Sequence, residues 1–162
     1  MSATEREARK EKENENAITQ YRSMLSQWEH DDGEFRNYTR RKAEILKMIG
    51  GANATGLLAI AVFLTSANRA ASLVAEAKWC LALFVGGFAT FIVAYRYFYV
   101  FESDLEDALI LIRSGKKPED TKVGEFIERA ITRSDRGVLW AAAALGLFLL
   151  GAALSCIGLL TH

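Results

Sequence analysis

The sequence predicts an all-α membrane protein, with three transmembrane helices and a small cytoplasmic cluster of amphipathic helices. Three observations carry that reading: long uncharged apolar runs, charge gathered into two blocks, and apolar stripes at helical spacing inside those blocks. No side chain carries a formal charge between Lys47 and Arg69, from Trp79 to Tyr95, or from Val138 to Leu160. Hydrophobic residues make up 51% of the 162-residue chain and charged residues 25%, an average that also suits a soluble protein, so the distribution decides. A helix needs about 20 apolar residues to cross a hydrocarbon core roughly 30 Å thick. A buried helix of a soluble bundle shows a shorter run and a polar face. Here three runs are apolar all round, and the rest of the chain offers little to cover them.

Residues 1–47 form the first polar block. Residues 2–30 read as a solvated helix with mixed charges at Glu5, Arg9, Glu11, Lys12 and Glu15. Its apolar positions Ile18, Tyr21, Leu25 and Trp28 recur three and four apart, a stripe suited to docking on another surface. His30-Asp31-Asp32-Gly33 interrupts the pattern with turn-forming residues. A second stripe follows, Phe35, Tyr38, Ile45 and Ile49 with Lys42 in register, and runs without a break into the first span. The same opening segment lacks the apolar core of a secretory signal peptide and is too acidic for a mitochondrial transit peptide.

The first span covers residues 48–66, its first half thinned by Gly50, Gly51, Asn53, Thr55 and Gly56. An external loop, 67–78, leads to the second span at 79–100. Trp79 at one end, and Tyr95, Tyr97 and Tyr99 at the other, are amphipathic rings suited to the headgroup level. A cytoplasmic helical hairpin occupies 101–137. Phe101, Leu105, Leu109 and Ile112 extend the second span with an apolar face, and Ser114 to Pro118 makes the turn. Pro118, Glu119 and Asp120 suit the start of the next helix, whose apolar face is Val123, Phe126, Ile127, Ala130 and Ile131. Ser134 or Asp135 is a suitable cap for the third span, 138–160.

Basic residues near the span ends set the orientation. The N-terminal block holds ten Lys and Arg and the 101–137 hairpin seven; the 67–78 loop side holds only Arg69 and Lys78. The N-terminus and hairpin therefore belong in the cytoplasm and the C-terminus outside, in an integral protein of a bacterial inner membrane.

A search for chemistry finds no reactive constellation. His30 beside Asp31 and Asp32 matches a polar turn better than a metal site, and His162 stands alone at the end. There is no nucleophile with a base, no phosphate-binding loop and no metal spacing, so neither an enzyme nor a cofactor is expected. Net charge is zero, which gives no general field to attract nucleic acid. Cys80 and Cys156 lie in apolar runs and suit ordinary packing better than a disulfide.

The strongest positive signal is small residues at close-packing intervals. Ala144, Gly151 and Gly158 recur every seven residues, Gly151 pairs with Ser155 at i+4, and Gly86, Thr90 and Ala94 form a second series. Ala52 and Gly56 add a pair in the first span. These faces serve packing of the three spans on one another, association between copies, or both. Asn53, Thr55 and Arg96 are the polar groups nearest any pore or lipid-headgroup contact, and Arg96 suits snorkelling to the interface.

The residues support a non-enzymatic multi-pass membrane subunit or accessory protein. Its partners are the lipid bilayer and either its own copies, as a homo-oligomer, or another membrane or cytoplasmic protein. The alternative is a homo-oligomeric pore or membrane-permeabilising effector. In architecture, without a shared motif, the order of polar helix, spans and cytoplasmic helices resembles small two-span effectors of bacterial defence systems. That resemblance implies the second activity and assigns no residue.

Overall fold

The computed structural model describes the backbone at residues 3–65 and 71–161, and side chains at 5–65 and 77–157. Four helices follow in order: α1 (Ala3–Trp28), α2 (Asp32–Thr65), α3 (Ala71–Arg113) and α4 (Thr121–Thr161). The described residues contain no strand. Three helices, α2, α3 and α4, are long and apolar enough to cross a membrane. At 1.5 Å per residue, the 43 residues of α3 extend about 65 Å, roughly twice a hydrocarbon core. Part of 67–78, read as a loop, lies outside the described residues; the rest, from Ala71, is already helical. Alanine, leucine, glutamate and lysine favour helix there whether or not the segment suits lipid.

Two compact units result. The first comprises residues 1–41 and 97–135; the second comprises 42–96 and 136–162. In the first unit, α1 packs with the start of α2, the end of α3 and the start of α4. Leu25, Phe101, Leu105, Val123 and Ile127 are fully enclosed, with Trp28, Leu109, Ile112 and Ala130 around them. The Trp28 ring lies 5.3 Å from Phe35 and 5.1 Å from Tyr38, and Tyr21 meets Phe101 edge-on at 6.4 Å. The α1 stripe is thus a core face, while Glu5 to Asn16 are exposed and carry pairs such as Arg9–Glu13 at 2.9 Å. A pair of that kind is worth a few tenths of a kcal/mol.

The helix ends follow local chemistry. Asp31 accepts the Gly33 N–H at 2.8 Å and caps α2. Arg113, in the last turn of α3, donates to the Trp28 carbonyl at the end of α1 and pairs with Asp32. One guanidinium therefore closes the α1–α2 turn. At the end of α3, Lys116 N–H bonds Leu111 O and Gly115 N–H bonds Ile112 O, with Gly115 at φ 93°. This double closure needs a left-handed residue, which glycine adopts without steric cost.

Three expectations need correction. Pro118 closes the expected turn but does not start α4, whose first helical bond runs from Gly124 N–H to Asp120 O. Asp120 is the cap, because its carboxylate reaches the Lys122 N–H at 3.0 Å, and that bond holds its carboxyl below the usual range. Second, neither Ser134 nor Asp135 caps a span, since α4 continues unbroken from Thr121 to Thr161 and leaves no orphan N–H there. Third, Ile45 is 59% exposed and Leu46 takes the buried position. The buried positions Thr39, Leu46 and Gly50 keep the seven-and-four spacing of Tyr38, Ile45 and Ile49 one residue later, so the inward face is turned by about 100° from the expected stripe.

One ion pair is buried in this first unit. Asp104, 4% exposed between Phe101 and Leu105, pairs with Arg133 of α4, which also donates to Val100 O at 3.5 Å. Burial raises the Asp104 carboxyl above its ordinary 3.8; Arg133 and Arg129 pull it down less strongly. A raised folded-state value means that ionisation costs the fold stability. The wild type should therefore lose stability relative to Asp104→Asn as pH rises from about the ordinary carboxylate value through the raised one. Thermal unfolding of both proteins across that window checks the sign. A relative gain with rising pH would mean that the pairing outweighs desolvation.

Candidate functional site

The polar span residues and most of the small-residue series fall in the second unit, where α2, α3 and α4 pack as three helices. Asn53 is fully buried at their meeting point. Its amide nitrogen donates to Ile49 O at 3.1 Å and, across to α4, to Ala144 O at 3.3 Å. Its carbonyl oxygen lies against Gly87 of α3, where an added Cβ would collide with it and come within 3.3 Å of Ala144 O. That oxygen has no hydrogen-bond partner. Three backbones approach closely here because Gly87 has no side chain and Ala144 a single methyl.

Aromatic rings fill the next layers. Phe84 lies over Gly56 and Gly151, where a Cβ would sit 2.5 Å and 3.1 Å from its ring, and meets Phe148 at 5.8 Å. Phe91 lies over Gly50, 2.5 Å from an added Cβ. Successive contacts at Gly50–Phe91, Asn53–Gly87 and Gly56–Phe84 set an antiparallel α2–α3 register. Gly87–Ala144 and Phe84–Phe148 set the same for α3–α4.

The small-residue series divides. Ala94, Ala144 and Gly151 are buried within the chain, and Gly86 lies beside Leu147. Thr90 donates its hydroxyl to the Gly86 and Gly87 carbonyls at 3.0 and 2.9 Å, and Ser155 to Gly151 at 2.8 Å. Gly158 lies outside the described side chains. The three pore or headgroup candidates do not converge. Asn53 is enclosed, Thr55 is exposed and bonded to its own Gly51 carbonyl at 2.9 Å, and Arg96 is exposed.

The α1 stripe residues Ile18, Tyr21, Leu25 and Trp28 come together on the core of the first unit. His30 faces Ser26 O at 3.3 Å in the exposed turn, and His162 lies outside the described residues. Cys80 is buried and Cys156 exposed, both as free thiols. Among the described residues, no three His, Cys, Asp or Glu side chains gather as a metal site.

Two structural residues escaped the sequence reading. Asp104 falls three residues after Phe101 on an apolar face, so a carboxylate inside a buried stripe was the available signal. Phe84 carries no such mark, because one phenylalanine among many apolar residues does not reveal which glycines it meets. No family model, curated protein or solved structure matches the chain.

The Asn53–Gly87 contact predicts coupling. Gly87→Ala should cost about 1–3 kcal/mol by overpacking, and Asn53→Ala about 1–3 kcal/mol by losing the link to α4. The double variant should cost less than their sum by at least about 0.5 kcal/mol, because removing the amide makes room for the new methyl. Unfolding of the four proteins in detergent measures this; strict additivity would show that the two do not touch.

Proposed function

We propose that the chain is a non-enzymatic integral membrane subunit or accessory protein whose second unit sits in lipid and whose first unit is cytoplasmic. The observation that carries this reading is the inverted surface of the second unit. Only 11%, 28% and 17% of the most apolar stretches of α2, α3 and α4 are buried within the chain. Met48, Leu58, Val62, Ile92, Leu139 and Leu149 are more than half exposed. An apolar surface shared by three helices is far larger than water tolerates on a monomer. Lipid removes that penalty, and helices satisfy their own backbone groups within it.

The spacing of interfacial residues agrees. Trp79, 72% exposed, and Arg96 stand 17 residues apart on α3, about 26 Å at 1.5 Å per residue. That is close to the thickness of the hydrocarbon core. Basic flanks support a cytoplasmic first unit and an external C-terminus. The first unit presents charge to water around its own core, which suits a soluble face for a partner.

The pore reading draws less support. Among the described residues, the one fully buried polar span side chain, Asn53, spends its donors within the chain, and Ala94, Ala144 and Gly151 are already used in packing α2, α3 and α4. Assembly of copies would then fall to the outward span faces and the first unit.

Reporter fusions test the arrangement. A C-terminal alkaline phosphatase should be active and a C-terminal green fluorescent protein dark, with the reverse at a fusion after Gly115. The opposite pattern would overturn the orientation. Membrane potential should be unchanged on expression, whereas depolarisation abolished by Asn53→Leu at equal protein level would favour the pore.

A further inference from the structure

One end of the second unit gathers cations from all three helices. Counted from the layer of Asn53, Gly87 and Ala144, Lys47 lies six residues away on α2, Arg136 eight on α4 and Arg96 nine on α3, all toward the same end in the antiparallel register. At 1.5 Å per residue these are offsets of about 9 to 14 Å, so the three fall within about one helical turn of each other. All three are exposed and, among the described residues, none has an ion pair. Lys42 adds a fourth cation near this end, against two carboxylates, Glu44 and Asp135, so the positive charges are in excess there.

Each cation adjoins an outward apolar side chain. Met48 is 71% exposed beside Lys47, and Val138 is 66% exposed two residues after Arg136. Tyr95 and Trp140, both more than a third exposed, add amphipathic rings at this end. An acidic peptide or a nucleic acid matches the cations and leaves the adjoining apolar surface in water. A molecule with an anionic head on an apolar tail satisfies both.

We infer that Lys47, Arg96 and Arg136 form a collar that binds the phosphate groups of anionic phospholipids, with the acyl chains along the adjoining apolar faces. The inference rests on the membrane reading above and adds a preferred lipid. Guanidinium groups bond phosphate oxygens in pairs, and long basic side chains reach the headgroup level from helix ends. A cation near an anionic surface favours binding by about fivefold. Net positive charge at the collar gives no comparable gain with a zwitterionic head.

The test uses the full chain, extracted in neutral detergent and equilibrated with equal amounts of phosphatidylglycerol and phosphatidylcholine. Mass spectrometry then quantifies the retained lipid. The wild type should retain phosphatidylglycerol over phosphatidylcholine by at least about fivefold. Lys47→Gln, Arg96→Gln and Arg136→Gln together should return the ratio to that of the bulk. Lys78→Gln, at the opposite end, and the charge-keeping set Lys47→Arg, Arg96→Lys and Arg136→Lys should preserve it. If the triple glutamine variant fails to insert, the wild type in 1 M salt supplies the comparison, since screening there acts within about 3 Å and the enrichment should fall. A bulk ratio in the wild type, or enrichment that survives both neutralisation and salt, overturns the collar while leaving insertion intact. Recovery of the chain without detergent in the aqueous fraction overturns the collar and the membrane reading together.

Discussion

The second unit carries more apolar surface than its own helices can hide, and everything else about the chain follows from that mismatch with water. Three helices can shield only the strip where they face one another, and the remaining circumference must be met by the surroundings. In lipid, the hydrophobic effect no longer drives helix against helix, and close packing and hydrogen bonds hold the contact. The interior of this unit fits that regime. Glycines at 50, 56, 87 and 151 admit rings and an amide where side chains would collide, and Asn53 ties α2 to the Ala144 carbonyl of α4.

The first unit obeys the opposite rule. Its leucines, isoleucines and aromatic rings turn inward, its charges turn outward, and the hydrophobic effect stabilises it in the ordinary way. α2, α3 and α4 each contribute to both units, so a single helix changes its packing rule along its length. On α3, Phe84 and Phe91 fill notches made by glycines, whereas Leu105 and Ile112 join an aliphatic core. Arg113 and Asp104 belong to the first unit, where charges so close to a core need partners such as Asp32 and Arg133.

Much of this was legible before any coordinates. Runs of uncharged apolar residues identify three long helices, and the spacing of Tyr21, Leu25 and Trp28 identifies a buried face, because both signals need only the helical repeat. The breaks were harder. Ser134 and Asp135 look like a cap, yet a cap acts only where the preceding backbone leaves the helix, and that depends on tertiary packing. Pro118 lost the start of α4 to Asp120 for a local reason, two residues of turn chemistry. Ile45 and Leu46 are equivalent as letters, and only packing against the other helices decides which faces inward. Pairings such as Gly56 with Phe84 were not legible at all, since antiparallel register is set by contacts between segments distant in sequence.

The membrane as solvent is the claim that supports the rest, and extraction of the untagged chain tests it most directly. Membranes from expressing cells, washed at high pH to strip peripheral proteins, should keep the full chain in the pellet and release it only with detergent. Recovery of a dissolved monomer in the detergent-free wash would contradict the account.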